Sequence, residues 1–584
     1  MLAPSSFTKL ISKPLRSVFT TPQTKMDSAL SMTAVSDQNT DIIGPSEPQG
    51  EIVHPTQSAG DFVGVLDDGD DYGRNYRDEW VRKSARQAGQ KLITYFQGIT
   101  LPRVTISAFI ETGQAEASIK VPKQRSYIVR RPVIQSCLAN TPLISLGIQG
   151  VIDRLNATLG TSHTLNTPSL LSLLKECIER NYDFSTYGTH RDSNIQDELH
   201  RREEDDREMR RKALIGNVIV HPDLVPRRVW DLYSNRVVPY WIAETLPTPI
   251  SHAWVDVDDR VNDTNLNLIR IEMLNLGKDY VWLDVLCLQQ NGGRREDLRA
   301  EEWKIDVPTI GYIYRFSTVL TYLGGLGRPL SLKVGDLDSD RCWFRCAWTV
   351  QEVGFWGRII AGDTPDGPMH AKPIDDDGNY KTDVLTRFHK QLKSLHTTMD
   401  IFSVLTAMRD RVSMNPMDRV ARLALLMMPR AIPAYYESGS LEDAWTVLVN
   451  TTHDYYRGLL LFVYPGVGLR CKKWRPTWDR VMTEPLPTGI EYCSSVERND
   501  NTDEDCVEGP CIEQGLLRRL DEGSADGVDR QGELVVKDAD GMAHTFKICV
   551  THQFPIPEDT YTLLRSLPLL GNRDKKSLKY CVVG

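Results

Sequence analysis

The 584-residue sequence has no long apolar run and no closely spaced pair of cysteines. Its longest apolar stretch, residues 458–469, is interrupted by Pro465 and is too short to cross a hydrocarbon layer of ~30 Å. The eleven cysteines are an odd number, and no two are spaced as CxxC. This pattern favours a reduced compartment over a disulfide framework or a zinc site, so we expect a soluble cytoplasmic protein without a bound metal.

The sequence also lacks an excess of positive charge. Its formal net charge is -9 and its pI is about 5.8, and no basic stripe is interleaved with aromatic residues. Such a chain repels phosphate backbones, which argues against nucleic acid as a primary partner. The nucleotide-binding motifs GxxxxGKS/T and GxGxxG are missing, as are the hydrolase motifs GxSxG and HExxH. We therefore expect no bound cofactor.

The N-terminal part of the chain changes from polar to helical character. Residues 1–75 are rich in Ser, Thr, Pro, Gln, Asp and Gly, and are predicted to be disordered because they contain too few apolar residues to form a core. Residues 76–214 are predicted to be a helical region, since apolar residues recur at helical spacing over 141–156 and 167–181. The charged run 197–212 within it is predicted to be an exposed connector.

The C-terminal part is predicted to contain two further regions. Residues 366–480 are helix-rich, with a break at Asn415-Pro416 and a second helix over 441–456. Residues 481–584 carry short apolar alternations between Gly and Asp turns, which is typical of a small β-rich region.

Residues 215–365 alternate short β-type runs with helical patterns, which predicts an α/β domain with an open, mostly parallel sheet of the doubly wound or flavodoxin-like kind. The predicted strands cover 250–255, 280–288, 318–323 and 358–361, and the predicted helices cover 264–276, 301–316 and 341–355.

Three blocks in this region resemble the motifs of the fungal heterokaryon-incompatibility (HET) domain, in the expected order. Ser251-His252-Ala253-Trp254 resembles the first strand motif of the family, S-(Y/H)-x-W. The run YVWLDVLCLQQ, residues 280–290, resembles the second motif of the family. Residues 312–314 resemble the IY pair that belongs to the same motif. The run RCWFRCAWTVQE, residues 341–352, resembles the third motif, W-F-x-R-x-W-x-x-Q-E.

The resemblance extends over about 140 residues, because residues 227–241 also resemble HET proteins of mushroom-forming fungi. Residues 418–428 and 474–481 resemble the same proteins more weakly. Three positions depart from the family pattern: Val255 replaces a frequent glycine, Gln289 replaces an asparagine, and Cys346 stands where an arginine is usual. The resemblance implies self/non-self recognition and cell-death signalling, through protein partners or self-association. The departures leave open a degenerate, non-catalytic scaffold.

Side chains in these blocks suggest a site as well as a core. On a helix, Arg341, Arg345, Trp348 and Glu352 would share one face, since they are spaced i, i+4, i+7 and i+11. Asp284 lies inside an apolar strand prediction, where a carboxylate needs a partner. We expect a buried ion pair between Asp284 and Arg341 or Arg345, in preference to a direct chemical role.

The carboxyl ends of parallel strands are where such sheets bind ligands. The motif residues expected to line this crevice or support it are Ser251, His252, Trp254, Trp282, Asp284, Cys287, Gln289, Gln290, Arg341, Arg345, Trp348, Gln351 and Glu352. HET domains have been likened to TIR domains, some of which cleave NAD with a glutamate. By that analogy Glu352 would be catalytic and NAD a substrate. Cys287 is predicted to be a small buried hydrophobe and not a nucleophile.

Overall fold

The computed structural model describes residues 104–129, 133–159, 161–166, 168–185, 193–243, 245–253, 263–293, 295–353, 357–395, 401–427, 429–464, 475–487, 495–499, 502, 504–523, 528–550, 555–565 and 580–583. The disorder predicted for residues 1–75 lies outside these ranges, as do Trp254 and Val255.

The first described region is helical but also contains a pair of antiparallel strands that the sequence did not predict. Its elements are β1 (Val104–Ser107), α1 (Ala108–Thr112), β2 (Ser126–Val129), α2 (Ser136–Ala139), α3 (Leu143–Leu159), α4 (Pro168–Glu179) and α5 (Ser193–Ala213). The helices predicted over 141–156 and 167–181 are confirmed as α3 and α4. Helix α3 is kinked at Gly147, whose φ of 64° is a conformation that glycine adopts without strain.

Helix α5, which contains the predicted connector, is attached to the next region by a buried arginine. The Arg210 side chain is almost fully buried and pairs with Asp206 at 3.0 Å and with Asp306 at 3.4 Å. Arg227 also pairs with Asp306, at 3.0 Å. The prediction of a purely exposed connector is therefore wrong at Arg210.

The short strands β3 (Leu214–Ile215) and β4 (Val218–Ile219) pair with each other and with the later strand Ile432–Pro433 in a separate three-stranded sheet. The central region is a six-stranded mixed sheet with helices and turns around it. Its elements are β5 (Arg228–Asp231), β6 (Arg236–Pro239), α6 (Tyr240–Ala243), β7 (Thr248–His252), α7 (Asp263–Asn275), β8 (Tyr280–Trp282), α8 (Asp284–Cys287), α9 (Glu296–Phe316), β9 (Val319–Tyr322) and β10 (Arg358–Ile360). The strand order is β10-β9-β7-β8-β5-β6. The first four of these strands are mutually parallel, whereas β5 pairs antiparallel with β8 and β6.

This arrangement confirms a mixed α/β architecture with a mostly parallel sheet. Its core contains Ile250, Val281 and Leu320 from the strands, packed with Ile269 and Ile310 from the helices. The inner strands are almost entirely buried because helices or turns cover both faces of the sheet.

Two predicted elements of the central region are wrong. The strand predicted over 280–288 ends at Trp282, and residues 284–287 form the single helical turn α8. The helix predicted over 341–355 is instead two 3₁₀ segments, Trp343–Arg345 and Ala347–Val353. The backbone of Cys346 between them forms a bridge to Val412, with Ala347 N to Val412 O at 2.9 Å and Val412 N to Arg345 O at 2.7 Å. Because these bonds engage the peptides that a continuous helix would use, the helix does not form.

Helix α9 continues through Pro308 because a neighbouring segment satisfies the backbone. Proline cannot donate to the carbonyl four residues earlier, which belongs to Lys304. The backbone N–H of Tyr435 donates to that carbonyl instead, at 3.0 Å. One turn later, Gly311 leaves room for its neighbours, since a methyl group there would lie 2.6 Å from Gln351 Oε1. Helix α9 is thereby fitted closely to the 347–353 turn.

The remaining regions are a helical layer and an antiparallel sheet. The helical layer contains α10 (Asp383–Ser394), α11 (Ile401–Arg409), α12 (Met417–Leu423), β11 (Ile432–Pro433), α13 (Leu441–Thr451), α14 (Asp454–Phe462) and α15 (Trp478–Thr483). The antiparallel sheet has five strands, β14 (Cys511–Arg518), β15 (Arg530–Lys537), β16 (Ala543–Val550), β17 (Asp559–Arg565) and β18 (Tyr580–Val583), in the order β16-β15-β14-β17-β18. Before it, β12 (Glu497–Asn499) and β13 (Glu504–Cys506) form a separate two-stranded sheet. The predicted break at Asn415-Pro416 is confirmed between α11 and α12.

None of the helices in the described part of the chain has both the length and the apolar composition needed to cross a membrane.

Glu272 of α7 provides a test of the packing between the N-terminal strand pair and the sheet. Its buried carboxylate accepts hydrogen bonds from Tyr322 Oη at 2.6 Å, Gln124 Nε2 at 2.7 Å and Gly362 N at 2.8 Å. Glu272→Ala leaves Tyr322 Oη and Gly362 N without this acceptor, while Gln124 Nε2 keeps only its bond to Gly327 O. We therefore expect a loss of about 3–5 kcal/mol in the free energy of unfolding, measured by urea denaturation.

The matched control is Glu301→Ala on α9, whose side chain is largely exposed and pairs only with Lys304. It should change the free energy of unfolding by less than about 0.5 kcal/mol. Equal effects of the two variants would contradict the role assigned to Glu272.

Candidate functional site

Polar side chains from two parallel strands meet at one edge of the sheet. Ser251 and His252 are the last two residues of β7, and Asp284 starts α8 directly after β8. Strands β7 and β8 run parallel, so their carboxyl ends lie at the same edge. This is the edge where open α/β sheets bind ligands.

The buried His252 and the partly exposed Asp284, whose side chain is 29% exposed, form an ion pair at this edge, with His252 Nε2 2.9 Å from Asp284 Oδ1. Burial by itself favours the neutral form of His252, but the Asp284 carboxylate, together with Glu352, outweighs it and raises the pKa of His252. Burial likewise opposes ionisation of Asp284, yet the imidazolium of His252 and the Val285 N–H lower the pKa of Asp284. Each residue therefore stabilises the charge of the other.

Glu352 lies beside this pair, at the end of the 347–353 turn. The Ser251 hydroxyl donates to Glu352 Oε2 at 2.6 Å and accepts from Trp343 Nε1 at 2.8 Å, which fixes its orientation. Burial is the largest influence on Glu352, and the Asp284 charge adds to it, so the pKa of Glu352 is raised to about 7 despite the opposing effects of Ser251, Arg422 and His252. A carboxyl group with such a pKa can give or take a proton near neutral pH.

Helix α12 contributes two charged residues that the sequence analysis did not single out. Arg422 is fully buried, and its guanidinium lies over the ring of Trp348. Burial lowers the pKa of Arg422 to about 10, against the opposing effects of Asp418 and Glu352. Asp418 accepts from Tyr435 Oη at 2.8 Å, and burial raises its pKa. The available signal was the presence of charged residues in an otherwise apolar run, residues 418–428.

The remaining residues of the second motif support the site without entering it. Trp282 packs edge-to-face on Tyr314, with ring centroids 6.0 Å apart, and Tyr314 Oη donates to Ile250 O at 3.0 Å. Gln290 Nε2 donates to Asp284 O at 3.0 Å and closes the turn around α8. The backbone carbonyl of Gln289 accepts from a tryptophan indole of α9 at 2.8 Å. Cys287 is buried, and its pKa is raised to about 12, as expected of a structural thiol.

The predicted partners of Asp284 are wrong. Arg341 is exposed, and Arg345 pairs with Asp340 at 3.0 Å near the surface. Because the third block is not an α-helix, Arg341 and Arg345 do not share a helical face with Trp348 and Glu352. His252, two residues from the end of the first block, takes their place as the partner of Asp284.

The structure therefore brings together Ser251, His252, Asp284, Trp348 and Glu352 and leaves Arg341 and Arg345 outside. Gln351 is buried beside them, and neither of its side-chain polar atoms has a hydrogen-bond partner among the described residues. Trp254 lies outside the described residues. Among the residues that are described, no cluster of three or more His, Cys, Asp or Glu side chains could hold a metal ion. The chemistry that these groups can supply is proton transfer and charge stabilisation.

Comparison of the chain with protein-family models, with curated proteins and with solved structures finds no match.

The raised pKa of Glu352 predicts how stability depends on pH. Its pKa is about 7 in the fold, against an ordinary value of 4.5, so the folded state binds this proton more tightly than the unfolded chain does. The stabilisation is complete below pH 4.5 and is lost as the pH rises through 7. The wild type should lose on the order of 3 kcal/mol more than Glu352→Gln over this window, as measured by urea denaturation at each pH.

Glu301→Gln is the control for this experiment, because it removes an exposed glutamate of α9. It should keep the pH dependence of the wild type. The same slope in the wild type and in Glu352→Gln would show that Glu352 does not bind its proton in this way.

Proposed function

We propose that this chain is a HET-type protein of self/non-self recognition and cell-death signalling. The observation that carries the proposal is the convergence of the three motif blocks. Ser251 from the first block is hydrogen-bonded to Glu352 from the third, and the adjacent His252 is paired with Asp284 from the second, so all three blocks contribute polar side chains to one edge of the sheet.

The order of the parallel strands supports the flavodoxin-like part of the proposal. In chain order, β7, β8, β9 and β10 are the first to fourth parallel strands. Across the sheet they lie in the order second, first, third, fourth. A crevice forms in such sheets where the strand order reverses, here between β7 and β9. Ser251 and His252 end the strand that borders this position.

Signalling through protein contacts fits the site better than a function on nucleic acid or in a membrane. The formal net charge of -9 opposes binding to phosphate backbones. The buried cluster also extends from the sheet to α12, so a contact that moves the helical layer would alter the site directly. The expected partners are other proteins or a second copy of this chain.

A second candidate activity is the hydrolysis of NAD, and a specific observation favours it. Glu352 is buried, hydrogen-bonded to Ser251 and has a pKa of about 7. An oxocarbenium-like transition state needs a nearby carboxylate, and Glu352 with Asp284 could provide the negative charge. In this version of the proposal the signal is produced by catalysis at the same site.

Expression in a fungal host tests the recognition and cell-death proposal. Induction of the full chain should arrest growth, and Asp284→Asn should restore growth because the His252 pair is lost. Asp306→Asn is the matched control, since it also alters a buried carboxylate in an ion pair but lies outside the cluster.

Growth arrest by Asp306→Asn but not by Asp284→Asn, at equal protein levels, would support the proposal. Equal behaviour of the two variants would contradict it and would favour the degenerate scaffold.

The NAD candidate has its own test. Purified full chain, with and without a crowding agent that promotes self-association, should release nicotinamide from NAD. Glu352→Gln should lower the rate at least about 100-fold, which is the usual loss when a catalytic acid or base is removed. Glu301→Gln should leave the rate unchanged. No release under either condition, or full activity in Glu352→Gln, would exclude this candidate.

A further inference from the structure

Trp343 of the third motif is held by hydrogen bonds at both its side chain and its backbone. Its indole N–H donates to the Ser251 hydroxyl at 2.8 Å, and its backbone carbonyl accepts from the Thr349 hydroxyl at 2.6 Å. All three residues are completely buried. Because Trp343 is fixed at two points, the direction of its indole N–H is fixed as well.

These contacts belong to a series of hydrogen bonds in which the direction of each proton is determined. A guanidinium and an indole can only donate, whereas a hydroxyl donates one proton and accepts others. Arg411 Nη1 donates to Thr349 Oγ1 at 2.5 Å, so the Thr349 proton is directed to a carbonyl, of which Trp343 O is the nearer. In the same way Trp343 donates to Ser251, and the Ser251 proton is directed to Glu352 Oε2, 2.6 Å away.

This direction distinguishes the two oxygens of the Glu352 carboxyl group. A proton on Oε2 would make this oxygen a donor toward Ser251, and the Ser251 proton would lose its acceptor, which is costly at a buried site. No second hydrogen bond to this carboxyl group comes from the residues that the structure describes. The oxygen that remains for proton exchange is therefore Oε1.

The series begins outside the sheet, in the segment that joins α11 to α12. Arg411 Nη1 donates to Cys346 O at 2.9 Å as well as to Thr349. The backbone of Val412 forms the adjacent hydrogen bonds to Arg345 and Ala347. The helical layer thus holds the third motif through a side chain and through the backbone at the same place.

We infer that Thr349, held by Arg411, is a positioning residue for Glu352: it fixes Trp343 and Ser251 so that Glu352 exchanges its proton at Oε1. This inference rests on the proposed function and deepens it, because it states how the helical layer controls the same site.

The test uses three threonine variants of the full chain. Thr349→Val removes the hydroxyl with little change in shape, and Thr349→Ser retains the hydroxyl. Thr309→Val is the matched control, because Thr309 is also buried and its hydroxyl donates to Ile305 O at 2.9 Å within α9. Each variant is compared with the same variant carrying Glu352→Gln. The difference in the pH dependence of urea denaturation then gives the proton affinity of Glu352.

Thr349→Val should loosen Trp343 and weaken the hydrogen bond from Ser251 to Glu352. Since this hydrogen bond lowers the pKa of Glu352, Glu352 should bind its proton at least about threefold more tightly in Thr349→Val. Thr349→Ser and Thr309→Val should keep the proton affinity of the wild type. An unchanged affinity in folded Thr349→Val, or an equal change in either of the other variants, would overturn the inference.

The threonine substitutions leave every charge around Glu352 in place. The charged and titratable groups that face Glu352 are His252 of β7, Asp284 of α8, Tyr314 of α9, Cys346 of the third motif, Arg411 after α11 and Arg422 of α12. A change in the proton affinity of Glu352 therefore reports on the hydrogen bonds and not on a lost charge.

If Thr349→Val does not fold, the magnetic-resonance signals of the indole N–H groups in the full chain decide the question. In the wild type an indole signal should shift as Glu352 loses its proton, and this shift should disappear in Ser251→Ala, because Ser251 joins Trp343 to Glu352. No such shift in the wild type, or the same shifts in Ser251→Ala, would contradict the inference. Neither measurement uses growth arrest or NAD hydrolysis, so its failure is distinct from failure of the proposed function.

Discussion

The candidate site depends on the pair of His252 and Asp284, 2.9 Å apart. The imidazole of His252 is buried, so its positive charge depends on the Asp284 carboxylate, whose side chain remains 29% exposed. Their pairing also controls Glu352, because the Asp284 charge adds to burial in raising the pKa of Glu352 to about 7. The protonation of three residues from three separate segments is thus coupled through one contact.

The geometry of the third motif follows from a backbone contact and not from helix propensity. The bridge between Cys346 and Val412 divides residues 343–353 into two 3₁₀ segments. The second segment carries Glu352 to the Ser251 hydroxyl, and its Ala347 and Val350 pack into the core of the helical layer. The helical layer therefore takes part in shaping the site, and α12 places Asp418 and Arg422 next to Trp348.

Much of the fold could be predicted from the sequence because the relevant signals are local. Apolar periodicity identified α3, α4, α7 and the strands that start at or near Thr248, Tyr280 and Val319. Asn415-Pro416 identified a helix boundary for the same reason, since proline restricts the residue before it. The strand predicted over 280–288 and the helix predicted over 341–355 were wrong because contacts between residues distant in sequence decide the backbone conformation there. The need of Asp284 for a partner was a sound expectation, but the partner is His252 and not an arginine of the third motif.

The sequence by itself determined which segments are apolar enough to be strands and helices, and that a carboxylate at Asp284 requires compensation, because burial and periodicity depend on residue type alone. Only the tertiary structure decided which charges meet. Parallel pairing of β7 with β8 places His252 beside Asp284, the Val412 bridge turns Glu352 toward Ser251, and α12 brings Arg422 onto Trp348. Such contacts join residues from 32 to 101 positions apart, a separation over which no local pattern carries information.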